Sequence, residues 1–170
     1  MTDQLLQQIT GCAINPALKL LPEKMDSKEA RVMLLAIGLQ ESRLTYRVQV
    51  SPNMPGMKGP ARGLWQFERG GGCVGVLTHK ATREYAKKIC AALDVPADSG
   101  SVWAELEHND ILSAAFARLL LYSDPQPLPA LTDSMAGWRL YALRTWRPGS
   151  PRPETWPGFW QRAVKFVTGA

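Results

Sequence analysis

One carboxylate in this chain of 170 residues stands where its surroundings would change its chemistry. Glu41 follows Ala30, Leu34 and Ile37 at steps of four and three, so it falls on their apolar face at a helix end. A carboxyl group closing such a stripe is partly desolvated, which raises its pKa toward neutrality. A carboxylic acid that keeps its proton beside a cleft can protonate a departing oxygen, as glycoside cleavage requires. Taken alone, the residue reads more simply as a helix-terminal acid that reaches solvent or pairs with Arg43 or Arg47.

The loop that follows bears on this choice. Glu41-Ser42-Arg43 is followed about twenty residues later by Gly59-Pro60-Ala61-Arg62-Gly63-Leu64-Trp65-Gln66-Phe67. This pair of motifs resembles the goose-type lysozyme and lytic transglycosylase superfamily, in which a Glu-Ser at a helix end precedes a Gly-Ala-x-Gly-Leu-Met-Gln segment. Asn109-Asp110-Ile111-Leu112-Ser113-Ala114-Ala115 resembles the family's Asn-Ile-x-x-Gly helix start, and Thr145-Trp146-Arg147-Pro148-Gly149 sits where the family has Ala-Tyr-Asn-Ala-Gly. The four segments span roughly residues 26 to 150, and the tryptophan variants look most like phage-encoded members.

The resemblance implies a mainly α, lysozyme-like single domain over residues 1–170, with a long cleft-forming loop or small β-hairpin. It implies that Glu41 is the catalytic acid/base with Ser42 beside it, and that Gly63, Leu64 and Gln66 line the sugar groove. Trp65 replaces the family's Met and would offer an aromatic platform to a sugar ring. Trp146 replaces the tyrosine that contacts the family's catalytic Glu, so Tyr141, one turn earlier, is the candidate hydroxyl. The substrate implied is the glycan strand of bacterial peptidoglycan, cut at the β-1,4 MurNAc–GlcNAc bond.

Hydrolases of this kind usually need a second carboxylate, to hold a water or attack the anomeric carbon. No Asp or Glu lies between Glu41 and Glu68. A lytic transglycosylase needs one Glu only, because the sugar's own C6 hydroxyl attacks with help from the N-acetyl group. The sparse acids therefore favour a transglycosylase giving 1,6-anhydro-MurNAc ends over a hydrolytic lysozyme. Glu68 and Asp110 are the candidate second carboxylates for the hydrolase. A reading from another class is an inactive lysozyme-fold virion protein of structure or DNA ejection, which the presence of Glu41 argues against.

Other chemistry finds little support. Cys12, Cys73 and Cys90 are widely spaced, and His79 and His108 are the only histidines, so no metal-ligand spacing arises. Gly70, Gly72 and Gly75 fit G-x-G-x-x-G but follow no apolar strand, which points to a flexible lid or cleft wall and not to a dinucleotide site. No metal and no cofactor is expected.

The elements that must hold Glu41 are mostly helical. Thr2 can cap a short helix through Leu5, Leu6 and Ile9 ending at Gly11, and Asn15-Pro16 opens another that stops near Pro22. Asp26 with Glu29 starts a helix whose run Val32–Leu39 is apolar on nearly every side, the mark of a buried central helix. From Leu44 to about Leu77, Pro52, Pro55, Pro60 and many glycines predict a long functional loop. Helical spacing resumes from Thr78 to Leu93 and again over Ile111–Leu120. Pro125, Pro127 and Pro129 make a stiff connection; a helix capped by Thr132 or Asp133 then runs to about Trp146, and a last one starts near Pro157. Trp138 and Trp160 sit at core spacing, and Lys87-Lys88 reads as a solvated face.

Composition sets the outer limits. With 45% hydrophobic and 21% charged residues the chain can bury a core, which excludes global disorder. The longest apolar run, eight residues, is far short of a membrane span. A net charge of +5 suits an anionic partner, but no basic run exceeds two residues, so a nucleic-acid partner is not expected. Met1–Thr10 holds an acid and three glutamines and does not look like a signal peptide. A monomer made in the host cytoplasm is expected, reaching the periplasmic wall by holin release or as a virion component.

Overall fold

The computed structural model describes residues 3–50 and 53–170. Helices dominate, and the buried side chains form one continuous cluster drawn from almost every element. Among the described residues no helix is long and apolar enough to cross a membrane.

The amino-terminal segment runs on where two separate helices were expected. Helix α1 (Gln4–Ile9) continues through a π turn (Thr10–Ile14) into α2 (Asn15–Lys19). Pro16 has no N–H to give an i→i−4 bond, and the wider turn, with Asn15 N–H donating to Thr10 O, absorbs it. Gly11 therefore ends nothing. The cap is Asp3, whose carboxylate accepts from Leu6 N at 3.2 Å; Thr2 lies outside the described residues.

Helix α3 (Lys28–Ser42) is the central one, with every residue from Val32 to Leu39 buried. Its cap is Ser27, whose hydroxyl accepts from Ala30 N at 3.1 Å. Asp26, expected in that role, instead holds Arg31 at 2.7 Å. The helix stops because Arg43 and Leu44 both turn left-handed, at φ 57° and 53°, and Leu44 N–H reaches back to Gly38 O at 3.1 Å. Glu41 thus sits in the last turn, one residue before the buried Ser42.

The irregular loop carries a small antiparallel sheet in the order β1 (Val48–Val50), β2 (Lys58–Arg62), β3 (Phe67–Glu68), so its hairpin has a third strand. Pro52 lies outside the described residues. Gly63 to Gln66 form the turn between β2 and β3, with Gly63 at φ 78° and Gln66 at φ 53°. Gly63 packs against Ser113 and the Leu106 carbonyl so closely that no side chain fits. The glycines at 70–72 open a π turn into α4 (Val74–Thr78), so they begin a helix and form no flexible lid.

The remaining helices wrap this centre: α5 (Arg83–Ala92), α6 (Ser99–Leu106), α7 (Asp110–Ser123), α8 (Ser134–Trp138) and α9 (Trp156–Thr168). Asn109 caps α7 and Asp133 caps α8 through their side-chain oxygens. After α8 the chain widens into a π turn over Arg139–Thr145. Helix α9 lies along α3 and makes its most extensive packing with it.

Candidate active site

Glu41 opens onto a cleft of about 630 Å³. One wall is the sheet, through Ala61, Gln66, Phe67 and Glu68, with Gly71 and Gly72 behind it. The other is the π turn and the segment after it, from Tyr141 through Trp146 to Arg152. Glu41 comes from α3 between them.

The carboxyl is mostly buried, and burial pushes its pKa up to about 7. Among the described residues its hydrogen-bond partner is Tyr141, whose hydroxyl donates to Glu41 Oε1 at 2.6 Å and pulls the other way, since that bond favours the carboxylate. Burial wins. The Tyr141 hydroxyl is itself pushed far up, first by burial and then by the Glu41 charge, so it stays protonated and remains a donor.

Tyr141 is held by aromatic packing. Its ring stacks on Trp156 with centroids 5.2 Å apart and planes 3° from parallel, and Trp138 meets it edge-on at 5.5 Å. The π turn over 139–145 brings this hydroxyl to Glu41. Trp146 takes a different role: its indole N–H donates to Trp65 O at 2.8 Å and its ring meets Phe67 edge-on at 5.8 Å, locking one wall of the cleft to the other.

Several residues that the motif would place in the groove lie behind it. Trp65 has no exposed surface; its indole N–H donates to Leu34 O at 2.8 Å, within α3. It fits against Gly38, which has no side chain to obstruct it. A ring so placed cannot meet a sugar, and Trp65 is a core residue instead of a platform. Leu64 is equally buried, and Gly63 faces α7 and α6 instead of the cleft. Ser42 is buried with its hydroxyl on Leu64 O at 2.6 Å, tying the end of α3 to the loop. Gln66 does line the cleft, its amide bracing the turn through Gly63 O at 2.9 Å.

The two candidate second carboxylates separate. Asp110 lies outside the cleft and is gripped by Nε and Nη2 of Arg47, at 3.1 and 2.6 Å. That grip removes it as a partner for Glu41. Glu68 lines the same cleft from the sheet and is exposed.

Motif reasoning missed Trp156, which lies fifteen residues beyond Tyr141 and meets it only through the packing of α9. It also missed Gln40 and Thr155, which hydrogen-bond each other at 3.0 Å and hold the Arg152 carbonyl beside α3. Among the described residues no three His, Cys, Asp or Glu side chains gather as a metal site would require.

The bond to Tyr141 sets a measurable property of Glu41. A hydrogen bond to a charged group contributes about 1.5–3 kcal/mol, and one pKa unit is about 1.4 kcal/mol. Tyr141→Phe should therefore move the Glu41 pKa upward by roughly one unit or more. The alkaline limb of a pH–rate profile should shift up with it; an unmoved limb would show that this bond does not tune Glu41.

Compared with family models, with curated proteins and with solved structures, the chain matches none.

Proposed function

We propose that this chain has a lysozyme-like fold and is a peptidoglycan lytic transglycosylase with Glu41 as its acid and base. The observation that carries the reading is a carboxyl group with a pKa of about 7, held by a tyrosine hydroxyl and lining a cleft. Such a group exchanges its proton near neutral pH, so it can give up a proton and take one back in a single turnover.

The reaction then runs without water. Glu41 protonates the glycosidic oxygen as its bond to C1 of MurNAc breaks, and the N-acetyl oxygen covers C1. The C6 hydroxyl of the same sugar attacks C1, the N-acetyl group leaves, and the C6 proton returns to Glu41. The products are a GlcNAc hydroxyl and a 1,6-anhydro-MurNAc end. A tethered nucleophile loses little entropy on reacting, which favours it over free water.

A second reading rests on Glu68, which lines the same cleft as Glu41 and Tyr141. A carboxylate there could activate water and make the protein a hydrolytic lysozyme. Both readings share Glu41 and the glycan. They predict that the purified chain clears a suspension of isolated sacculi; sacculi left turbid at high enzyme concentration would contradict both.

A further inference from the structure

The cleft carries positive charge that a neutral sugar chain does not need. Its ionisable side chains are Glu41, Glu68, Tyr141, Arg147 and Arg152. Tyr141 keeps its proton, and burial pushes the Glu41 pKa up to about 7, so two arginines share the cleft with Glu68 and with a carboxyl whose charge burial disfavours. Elsewhere Arg31, Arg47, Arg144 and Arg162 each hold an aspartate at 2.9 Å or less. Among the described residues, the side chains of Arg147 and Arg152 have neither an ion pair nor a hydrogen bond.

Their backbones are nonetheless fixed beside the reacting centre. Arg147 turns left-handed at φ 47° just after Trp146, and its N–H points back to Tyr141 O at 3.4 Å. The Arg152 carbonyl accepts from Gln40, the residue before Glu41, at 3.1 Å. Pro148 and Pro151 stiffen the chain between them. Two unpaired guanidinium forks on a braced wall suit carboxylates, which arginine can take in a two-point grip.

We propose that Arg147 and Arg152 bind the carboxylates of peptide stems, so that the substrate is peptide-bearing glycan and not bare sugar. This rests on the reading of the cleft as a peptidoglycan site. The chemistry of the polymer separates the possibilities. A GlcNAc homopolymer has no carboxylate; a strand stripped of its stems keeps one lactyl carboxylate per disaccharide. A strand with stems carries several.

The test measures binding, in a Glu41→Gln background so that strands stay intact. Soluble peptide-bearing strands, amidase-stripped strands and chitohexaose are titrated against this protein and against the same protein with Arg147→Gln and Arg152→Gln. Exposed ion pairs are individually weak, so the double change should raise Kd for peptide-bearing strands about tenfold. The loss should be smaller for stripped strands and within twofold for chitohexaose, and should shrink as salt screens the pairs. An equal loss on all three ligands, or none on peptide-bearing strands, would overturn the proposal. Failure of the cleavage reading would show separately, as wild-type protein that discriminates among these ligands but cuts none of them.

Discussion

Glu41→Gln should abolish sacculus clearing and at the same time make the protein more stable above neutral pH. The amide keeps the shape of the carboxyl and still accepts from Tyr141, but it cannot donate and retrieve a proton. General acid–base catalysis typically contributes about 10²–10⁴-fold, and the rate should fall by at least that much. The stability change has the opposite sign. Burial raises the Glu41 pKa from 4.5 to about 7, so between those values the folded state binds more protons than the unfolded one. Stability is then fully present below 4.5 and falls as pH rises through about 7. The loss should be roughly 3 kcal/mol, taking about 1.4 kcal/mol per pKa unit. The Gln variant lacks that loss, so the two proteins should unfold alike at pH 4 and the variant should be the more stable at pH 8. Equal urea midpoints at both pH values would show that Glu41 titrates as an ordinary surface acid.

Trp65→Ala should act on the fold. The ring is wholly buried and bonded to the Leu34 carbonyl of the central helix. Truncating a buried aromatic typically costs about 3–5 kcal/mol through lost contacts and the cavity left behind. The change also loosens the turn carbonyl, that of Trp65 itself, which Trp146 uses to join the two cleft walls. Urea unfolding should show the loss directly, with glycan binding declining only as the folded fraction declines. A variant of wild-type stability that has lost glycan affinity would return Trp65 to the role of a sugar platform.

The contrast between these residues shows which parts of the site can be read from a sequence. Glu41 was legible because its helix announces itself: an apolar run on every side of α3 must be central, and an acid at its end must be half buried. The loop was legible too, since prolines and glycines that no helix tolerates mark it out. Trp65 was misread because a loop position suggests exposure, whereas its burial depends on Gly38, a residue twenty-seven positions earlier, offering a space for the ring. The aromatic stack behind Tyr141 was hidden for the same reason: it joins residues brought together only when α9 lies along α3. Asn15-Pro16 has the pattern of a helix start, and only the π turn before it lets one helix continue through the proline. Helix α6 went unread because Ser99, Gly100 and Ser101 are poor helix formers, although Asp98 caps it well by accepting from Ser101 N at 2.8 Å.

The central claim is that one carboxyl group cuts the glycan by passing a proton out and back. Mass spectrometry of muropeptides released from purified sacculi by the wild-type protein tests it most directly. C6 attack gives products one water lighter than reducing-end muropeptides, and borohydride leaves them unchanged. Glu68→Gln should release the same products at a comparable rate. Reducing ends that borohydride converts, together with an inactive Glu68→Gln variant, would show water activated by a second carboxylate and contradict the account.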